Sequence, residues 1–302
     1  MIRTKSGAAT LSIASNSPLI ALKLAAGAIT GSIALITEAI HSGIDLVASV
    51  IALISVRRAD EPPDVEHPYG HEKVENLAAA IEGMLILVGA GVIVYEATRR
   101  LVTGAEVESL GVGIAVIAFS CVANVAVSAF LYRRARALDS PALEGDAAHL
   151  STDALTSFGV LIGLLLVEIT GEAAFDAIAA LCVAVAIVVA GLRILTRSGR
   201  VLVDEAPPPE ELDRIEAAIA SERQHHPEIA GYHKLRARRA GSRHHIDLHL
   251  QFASGTTLEH AHTVAHHVRG AIEREIRHAD VLIHVEPQES VKPTGREPFR
   301  SG

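Results

Sequence analysis

Six long apolar segments constrain the fold of this 302-residue chain more than any other feature. A helix needs about 20 mainly apolar residues to cross the hydrocarbon layer of a membrane. Segments of this kind lie at residues 12–30, 33–56, 77–98, 110–131, 147–170 and 173–195. Only Gly31-Ser32 and Gly171-Glu172 separate the first two and the last two segments. We therefore predict an α-helical membrane protein with six transmembrane helices, whose first and last pairs are tight hairpins.

Basic residues near the ends of these segments indicate the orientation, because cytoplasmic loops carry an excess of Lys and Arg. One side of the predicted bundle has only Arg99 and Arg100. The other side carries eleven basic residues: Arg3, Lys5, Arg57, Arg58, Lys73, Arg133, Arg134, Arg136, Arg193, Arg197 and Arg200. We predict that both termini are cytoplasmic and that the bundle contacts lipid in the inner (cytoplasmic) membrane.

A run of three prolines at residues 207–209 marks a boundary, because consecutive prolines do not continue a helix. The residues that follow have the pattern of a small α+β domain with the order helix, strand, strand, helix, strand. We predict a transmembrane domain at residues 1–206, a cytoplasmic domain at 207–288 and a disordered tail at 289–302. The net charge of −8 and the lack of a basic patch with aromatic residues argue against nucleic-acid binding.

Two of the apolar segments contain the same pair of polar residues at the same spacing. His41 precedes Asp45 by four residues in the second segment, and His149 precedes Asp153 by four in the fifth. Residues i and i+4 share one helix face, so two facing helices would present two imidazoles and two carboxylates. Four nitrogen and oxygen donors suit tetrahedral zinc. A buried His–Asp hydrogen bond in each helix is the structural alternative, and the duplication favours a metal site.

Further candidate metal ligands lie outside the apolar segments. Asp64, His67 and His71 cluster in the loop after the second segment, either as a metal site or as a solvated polar loop. The last hundred residues are rich in histidine, and the sequence leaves open whether they form a metal site or a histidine-rich surface. Several of these histidines are predicted to be surface residues: His225, His226, His244, His260, His267 and His278.

Together these motifs resemble those of the cation diffusion facilitators, most closely the bacterial zinc and ferrous-iron efflux branch. The resemblance covers residues 8–288. It rests on Gly31-Ser32, His41-x-x-x-Asp45, Asp64-x-x-His67-Pro-x-Gly-His71, His149-x-x-x-Asp153, and the histidines at 233, 249, 262 and 284. It implies a homodimer with six spans per protomer, a ferredoxin-like cytoplasmic domain and exchange of metal for protons.

The resemblance also implies roles for particular residues. The transport site comprises His41, Asp45, His149 and Asp153, and the loop site Asp64, His67 and His71. The cytoplasmic metal site comprises His233, His249, His262, His284 and Glu286. Lys73 and Asp204 correspond to a charge pair that locks the dimer near the membrane surface.

Two residues depart from the pattern of that bacterial branch. His41 stands where the branch usually has Asp, which favours zinc because imidazole suits zinc better than harder ions. Glu286 stands where those relatives have Asp, so the cytoplasmic site is expected to differ in geometry.

The resulting expectation is a zinc-preferring efflux transporter and not an enzyme, with Zn²⁺ as transported and regulatory ion and protons as counter-substrate. The alternatives are a membrane-bound metal sensor or scaffold, and a transporter that prefers Cd, Fe, Co or Mn. An intramembrane metalloprotease is disfavoured, because the sequence lacks the His-Glu-x-x-His pattern.

Overall fold

Six long helices form the first of two units into which the chain divides, Met1–Arg200 and Val201–Gly302. The structure is a computed structural model that describes residues 4–30, 33–103, 111–172 and 174–288. Within the helices, the side chains of residues 27, 30, 33–41, 44, 103, 111–113, 164 and 168 also lie outside the description. Each unit is described by itself.

The helices of the first unit extend the predicted apolar segments at one or both ends. They are α1 (Lys5–Thr30), α2 (Ile33–Ala59), α3 (Lys73–Thr103), α4 (Gly111–Leu138), α5 (Pro141–Thr170) and α6 (Ala174–Leu202). Among the described residues, four are long and apolar enough to cross a membrane by length and composition, namely α3, α4, α5 and α6. The helical transmembrane domain is thus confirmed, and the crossing of α1 and α2 stays a prediction.

The ends of α5 follow from its flanking residues. Ser140 precedes the helix in an extended conformation, and its hydroxyl accepts a hydrogen bond from the Leu143 amide, with Pro141 in the first turn. Gly171 ends the helix in the left-handed region at a φ of 75°, and its amide donates to the Val167 carbonyl at 2.8 Å. The predicted tight connection to α6 therefore begins at a glycine that this backbone conformation favours.

Glycines permit the close approach of α3 and α6. A Cβ atom added to Gly83 would lie 3.0 Å from the Leu195 amide nitrogen and 3.2 Å from the Gly191 carbonyl oxygen. One added to Gly191 would meet Leu87 and Ile86 at 3.0–3.1 Å. Helices in membranes associate through such small residues, because lipid provides little hydrophobic drive for association.

The second unit has the predicted order of elements. These are α7 (Pro209–His225), β1 (Ile229–Ala240), β2 (Arg243–Phe252), α8 (Leu258–Glu275) and β3 (Ala279–Pro287). The sheet order is β1-β2-β3, with β1 antiparallel and β3 parallel to β2. This confirms the α+β class of the cytoplasmic domain.

Alternation along β2 separates the two faces of this sheet. Ile246, Leu248, Leu250 and Phe252 are buried and pack with apolar residues of α7 and α8. The helices therefore cover one face, as a strand with every second residue apolar requires. His249 lies between Leu248 and Leu250 and so belongs to the opposite face.

A buried carboxylate fixes α7 to the sheet. Glu211 in the first turn of α7 accepts hydrogen bonds from His244 at 2.6 Å and from Arg239. Burial raises the pKa of Glu211, but these two bonds together with the charges of His244 and Arg239 outweigh it and lower the pKa below its ordinary value. The predicted surface residue His244 is thus a structural one.

We expect Gly83→Val to loosen the contact of α3 with α6, because a β-branched side chain has to displace the backbone near Leu195. Overpacking of this kind costs about 1–3 kcal/mol. The thermal midpoint of the purified protein in detergent should fall. Gly89→Val is the matched control on the same helix, since a Cβ at Gly89 meets nothing within 4 Å. Equal midpoints for the two variants would show that the helices do not meet at Gly83.

Candidate functional site

Three of the four predicted transport-site residues lie together between α2 and α5. The His149 Nε2 atom lies 2.8 Å from the Asp45 Oδ1 atom, and one ligand atom from each of Asp45, His149 and Asp153 lies within 4.8 Å of the others. Asp45 is 3% exposed and His149 6% exposed. Two of these donors are buried and Asp153 is half-buried, and together they could hold a single cation. The His41 side chain lies outside the described residues.

A lysine is buried near the same region. The Lys23 ammonium donates a hydrogen bond to the Ser42 hydroxyl at 2.7 Å, and both residues are buried. Ser42 follows His41 directly in α2, so α1 brings a positive charge to the neighbourhood of a helix that carries two predicted ligands. In a transmembrane helix, which α1 is predicted to be, a buried charge usually marks a functional region.

A second polar layer lies one helical turn from the Asp45–His149 contact, and it was not predicted. Ser49 follows Asp45 by one turn and donates to Asp146 Oδ1 at 2.8 Å, while the Ser12 hydroxyl of α1 lies 3.1 Å from that of Ser49. Asp146 precedes His149 by three residues, so its spacing places it on the same face of α5. This spacing is the signal in the sequence that could have identified it.

Glu82 of α3 is a fully buried acidic group. It is 0% exposed, and neither carboxylate oxygen has a hydrogen-bond partner among the residues that the structure describes. The carboxylate lies against α5, because a Cβ added to Gly145 would fall 1.8 Å from Glu82 Oε2. Its position against Gly145, the residue before Asp146, places Glu82 next to the polar layer.

The loop between α2 and α3 brings together all three of its predicted ligands. Asp64 Oδ1 lies 3.1 Å from His67 Nδ1, and Asp64 Oδ2 lies 3.2 Å from His71 Nε2. Gly70, at a φ of 89°, turns the chain so that both rings face the carboxylate. The His67 backbone amide donates a hydrogen bond to Asp64 Oδ1 at 2.6 Å. This bond is the main cause that lowers the pKa of Asp64, so the carboxylate is ionised near neutral pH.

The exposed face of the sheet in the second unit carries another group. Glu286 accepts from His233 Nε2 at 2.6 Å through one oxygen and from His249 Nδ1 at 3.2 Å through the other. His284 lies opposite His249 in the parallel pair, with its Nε2 atom 3.9 Å from Glu286 Oε2. Burial raises the pKa of Glu286, but the bonds from His249 and His233 outweigh it, so the pKa lies below its ordinary value.

One predicted member of the cytoplasmic site is not brought to this group. His262 lies exposed on α8, with its Nε2 atom 3.2 Å from that of His266. Helix α8 packs on the apolar face of the sheet, whereas His249 belongs to the other face. A single protomer therefore holds His233, His249 and Glu286 together but leaves His262 apart.

The predicted dimer charge pair stays a prediction. Lys73 opens α3 in the first unit. Asp204 belongs to the second unit, where its Oδ1 atom lies 3.2 Å from the Arg238 guanidinium.

Comparison with known proteins assigns the chain to a family. Residues 9–203 match the cation efflux transmembrane domain, and residues 207–288 match the cytoplasmic domain of cation efflux proteins. The cation-efflux pump FieF of Klebsiella pneumoniae is 32% identical over 297 residues, which cover 98% of this chain and 97% of that protein. FieF of Serratia proteamaculans is 34% identical over 298 residues, with 98% and 96% covered. The zinc form of CzrB, a solved structure, is 32% identical over 30% of this chain and 98% of its own, at a TM-score of 0.27.

The two matches define a membrane-embedded efflux protein with a cytoplasmic domain. The chain belongs to the cation efflux family, the cation diffusion facilitators, as the sequence motifs predicted. It is therefore a transporter of divalent metal cations and not an enzyme. The cytoplasmic domain that matches is the dimerisation domain of the family, which indicates a homodimer.

We expect Glu82→Met to raise the thermal midpoint in detergent, because an apolar side chain of similar length replaces a buried carboxylate that lacks a hydrogen-bond partner in the described part of the chain. Replacing buried charges with apolar groups often stabilises a protein by about 1–4 kcal/mol. Glu96→Met on the same helix is the control, since Glu96 is exposed and surface ion pairs contribute little. A lower midpoint for Glu82→Met than for the unmodified protein would contradict this reading of Glu82.

Proposed function

We propose that the protein exports zinc from the cytoplasm in exchange for protons, through a site formed by His41, Asp45, His149 and Asp153. The observation that carries this proposal is the buried contact of Asp45 with His149, with Asp153 within 4.8 Å. Polar groups at membrane depth are costly unless they are satisfied. A dication that binds two carboxylates and an imidazole offsets this cost. The cost returns when the dication is released.

The donor set supports zinc as the preferred ion. Two imidazoles with two carboxylates give four donors of the type that zinc takes in tetrahedral sites. Iron and manganese favour oxygen donors and higher coordination numbers more strongly. His41 supplies the second imidazole, so this residue sets the preference among divalent ions.

Proton exchange follows from the same ligands. Metal binding needs neutral imidazole and ionised carboxylate, so protons compete with the ion for the site. Histidine, with an ordinary pKa of about 6.5, changes protonation in the range between cytoplasm and exterior. Zinc binds while the site faces the cytoplasm and leaves when the lower external pH protonates the ligands, after which the protonated site returns.

The proposed orientation puts both termini in the cytoplasm of a bacterium and all six helices α1–α6 across its inner membrane. Basic residues in the last turns of α2, α4 and α6 support it, since all three ends would face the cytoplasm. The end of α3, which would face outward, carries Arg100, whose Nη1 atom lies 3.0 Å from Asp176 Oδ2.

The remaining metal groups are proposed to regulate the transporter. The group of Asp64, His67 and His71 would hold zinc in the loop between α2 and α3, close to the start of α3. The His233, His249 and Glu286 group, with His284, would bind zinc when its cytoplasmic concentration rises, and His262 from a second protomer would complete the shell. Bound zinc would then tighten the dimer, with Lys73 and Asp204 as its charge pair near the membrane surface.

Sensing without transport is the second candidate function, and the histidine group on the sheet is the observation that favours it. The two functions separate in a flux measurement. A sensor binds zinc but gives no zinc-dependent dye signal inside proteoliposomes, whereas a transporter gives one that grows with an opposing proton gradient.

We expect Asp45→Asn and Asp153→Asn each to lower zinc flux into proteoliposomes by at least 100-fold, because each removes a charged ligand. Purified dimers should persist in size-exclusion chromatography. Asp60→Asn is the control, as Asp60 is an exposed residue just beyond the end of α2. Flux at the unmodified rate in both site variants would contradict the proposed site.

His41→Asp should shift the ion preference and leave transport intact. Replacing imidazole with carboxylate gives a harder donor set, so the ratio of zinc flux to manganese or ferrous-iron flux should fall by about tenfold or more. Competition among these ions in the same vesicles measures the ratio. An unchanged ratio would show that His41 does not contact the transported ion.

A further inference from the structure

A separate group of histidines and carboxylates lies where α7 ends beside α8. His226 directly follows α7, Glu228 precedes β1, and His267 lies in the middle of α8. None of these residues belongs to the group on the open face of the sheet or to the Asp64 group. His226 and Glu228 are each 20% exposed in their side chains, so the centre of the cluster is only partly open to solvent.

The two imidazoles of the cluster approach through ring nitrogens. His226 Nε2 lies 3.0 Å from His267 Nδ1, with ring centroids 5.0 Å apart. Glu222, one turn earlier in α7, has its Oε2 atom 3.9 Å from the same His226 nitrogen. Its other oxygen lies 3.5 Å from the Arg274 guanidinium. Glu222 and His267 thus both lie near the same ring nitrogen of His226.

Glu228 orients the central ring. Its Oε1 atom lies 3.2 Å from His226 Nδ1 and 2.7 Å from His260 Nε2. The His226 Nδ1–H group therefore donates a hydrogen bond to Glu228. The lone pair on His226 Nε2 is then directed toward His267. Histidine ligands of metals commonly donate their second ring proton to a carboxylate in this way.

We propose that His226, His267 and Glu222 form a zinc-class metal site within one protomer, with Glu228 as the residue that positions His226. Two nitrogens that bind one zinc at about 2.0–2.1 Å in tetrahedral geometry lie roughly 3.3 Å apart, close to the separation seen here. Three protein donors leave the fourth position to water.

Zinc would replace the proton that the two rings share. In the metal-free form His267 Nδ1–H donates to His226 Nε2. When zinc binds, His267 takes the tautomer with its proton on Nε2, so both rings stay neutral and no proton need be released. Zinc would then connect the end of α7 to α8, and this site would stabilise the domain without a second protomer.

The test uses the full-length protein in detergent, stripped with a chelator and then dialysed against micromolar free zinc. Zinc content is measured by mass spectrometry of the digested sample. The double variant His226→Ala/His267→Ala should bind one zinc per protomer fewer than the unmodified protein. His225→Ala is the matched control, because His225 is exposed and its Nδ1 atom bonds only the Ser221 carbonyl among the contacts described. It should bind the unmodified amount.

Two further measurements keep the outcome clear. Glu228→Gln should retain the zinc content at saturation while affinity at this site falls by about 10–100-fold. In hydrogen exchange, zinc should slow peptides that contain residues 221–228 in the unmodified protein but not in the double variant. Should the double variant aggregate, His267→Gln on the exposed face of α8 replaces it, with weaker zinc protection expected. Equal zinc content and equal protection in variant and control would overturn the proposal.

Discussion

The contact between Asp45 and His149 is the interaction on which the membrane unit depends. It joins α2 to α5 at 2.8 Å with both side chains buried. At this depth an unpaired carboxylate or imidazole finds little water, so the contact is retained unless a cation or protons take its place. In the proposed transport site, the atoms that join the two helices are those that a bound ion would separate, so ion binding would be linked to helix position.

The second polar layer strengthens this link. Ser49 and Asp146 meet one helical turn from Asp45 and His149 and join the same two helices at 2.8 Å. Because both bridges follow the helical repeat, a slide of α2 along α5 by one residue would break them together. Glu82 reaches this layer from α3 and Ser12 from α1, so four helices meet around it.

Helical periodicity explains what the sequence could predict. Because His149 and Asp153 are four residues apart, they lie on one face of α5. The same spacing in α2 predicted that Asp45 would lie opposite that face. Glu82 offered no such signal, since its neighbour Asp146 lies 64 residues away and the sequence does not state which helices touch. The order of elements in the second unit was predictable because alternation in β2 and the two amphipathic helices are local patterns.

The histidines of the second unit include contacts that local sequence patterns do not predict. His267 is exposed as predicted, but its contact with His226 was not predicted, because that contact depends on how α7 packs against α8. Glu286, expected to alter the cytoplasmic site because Asp is usual, has the length to reach rings on two strands with one carboxylate. A shorter side chain at this position of β3 would move the carboxylate back toward its own strand by about one methylene, so one of the two bonds would lengthen. The length of the Glu286 side chain thus suits the spacing of His233 and His249 across the sheet.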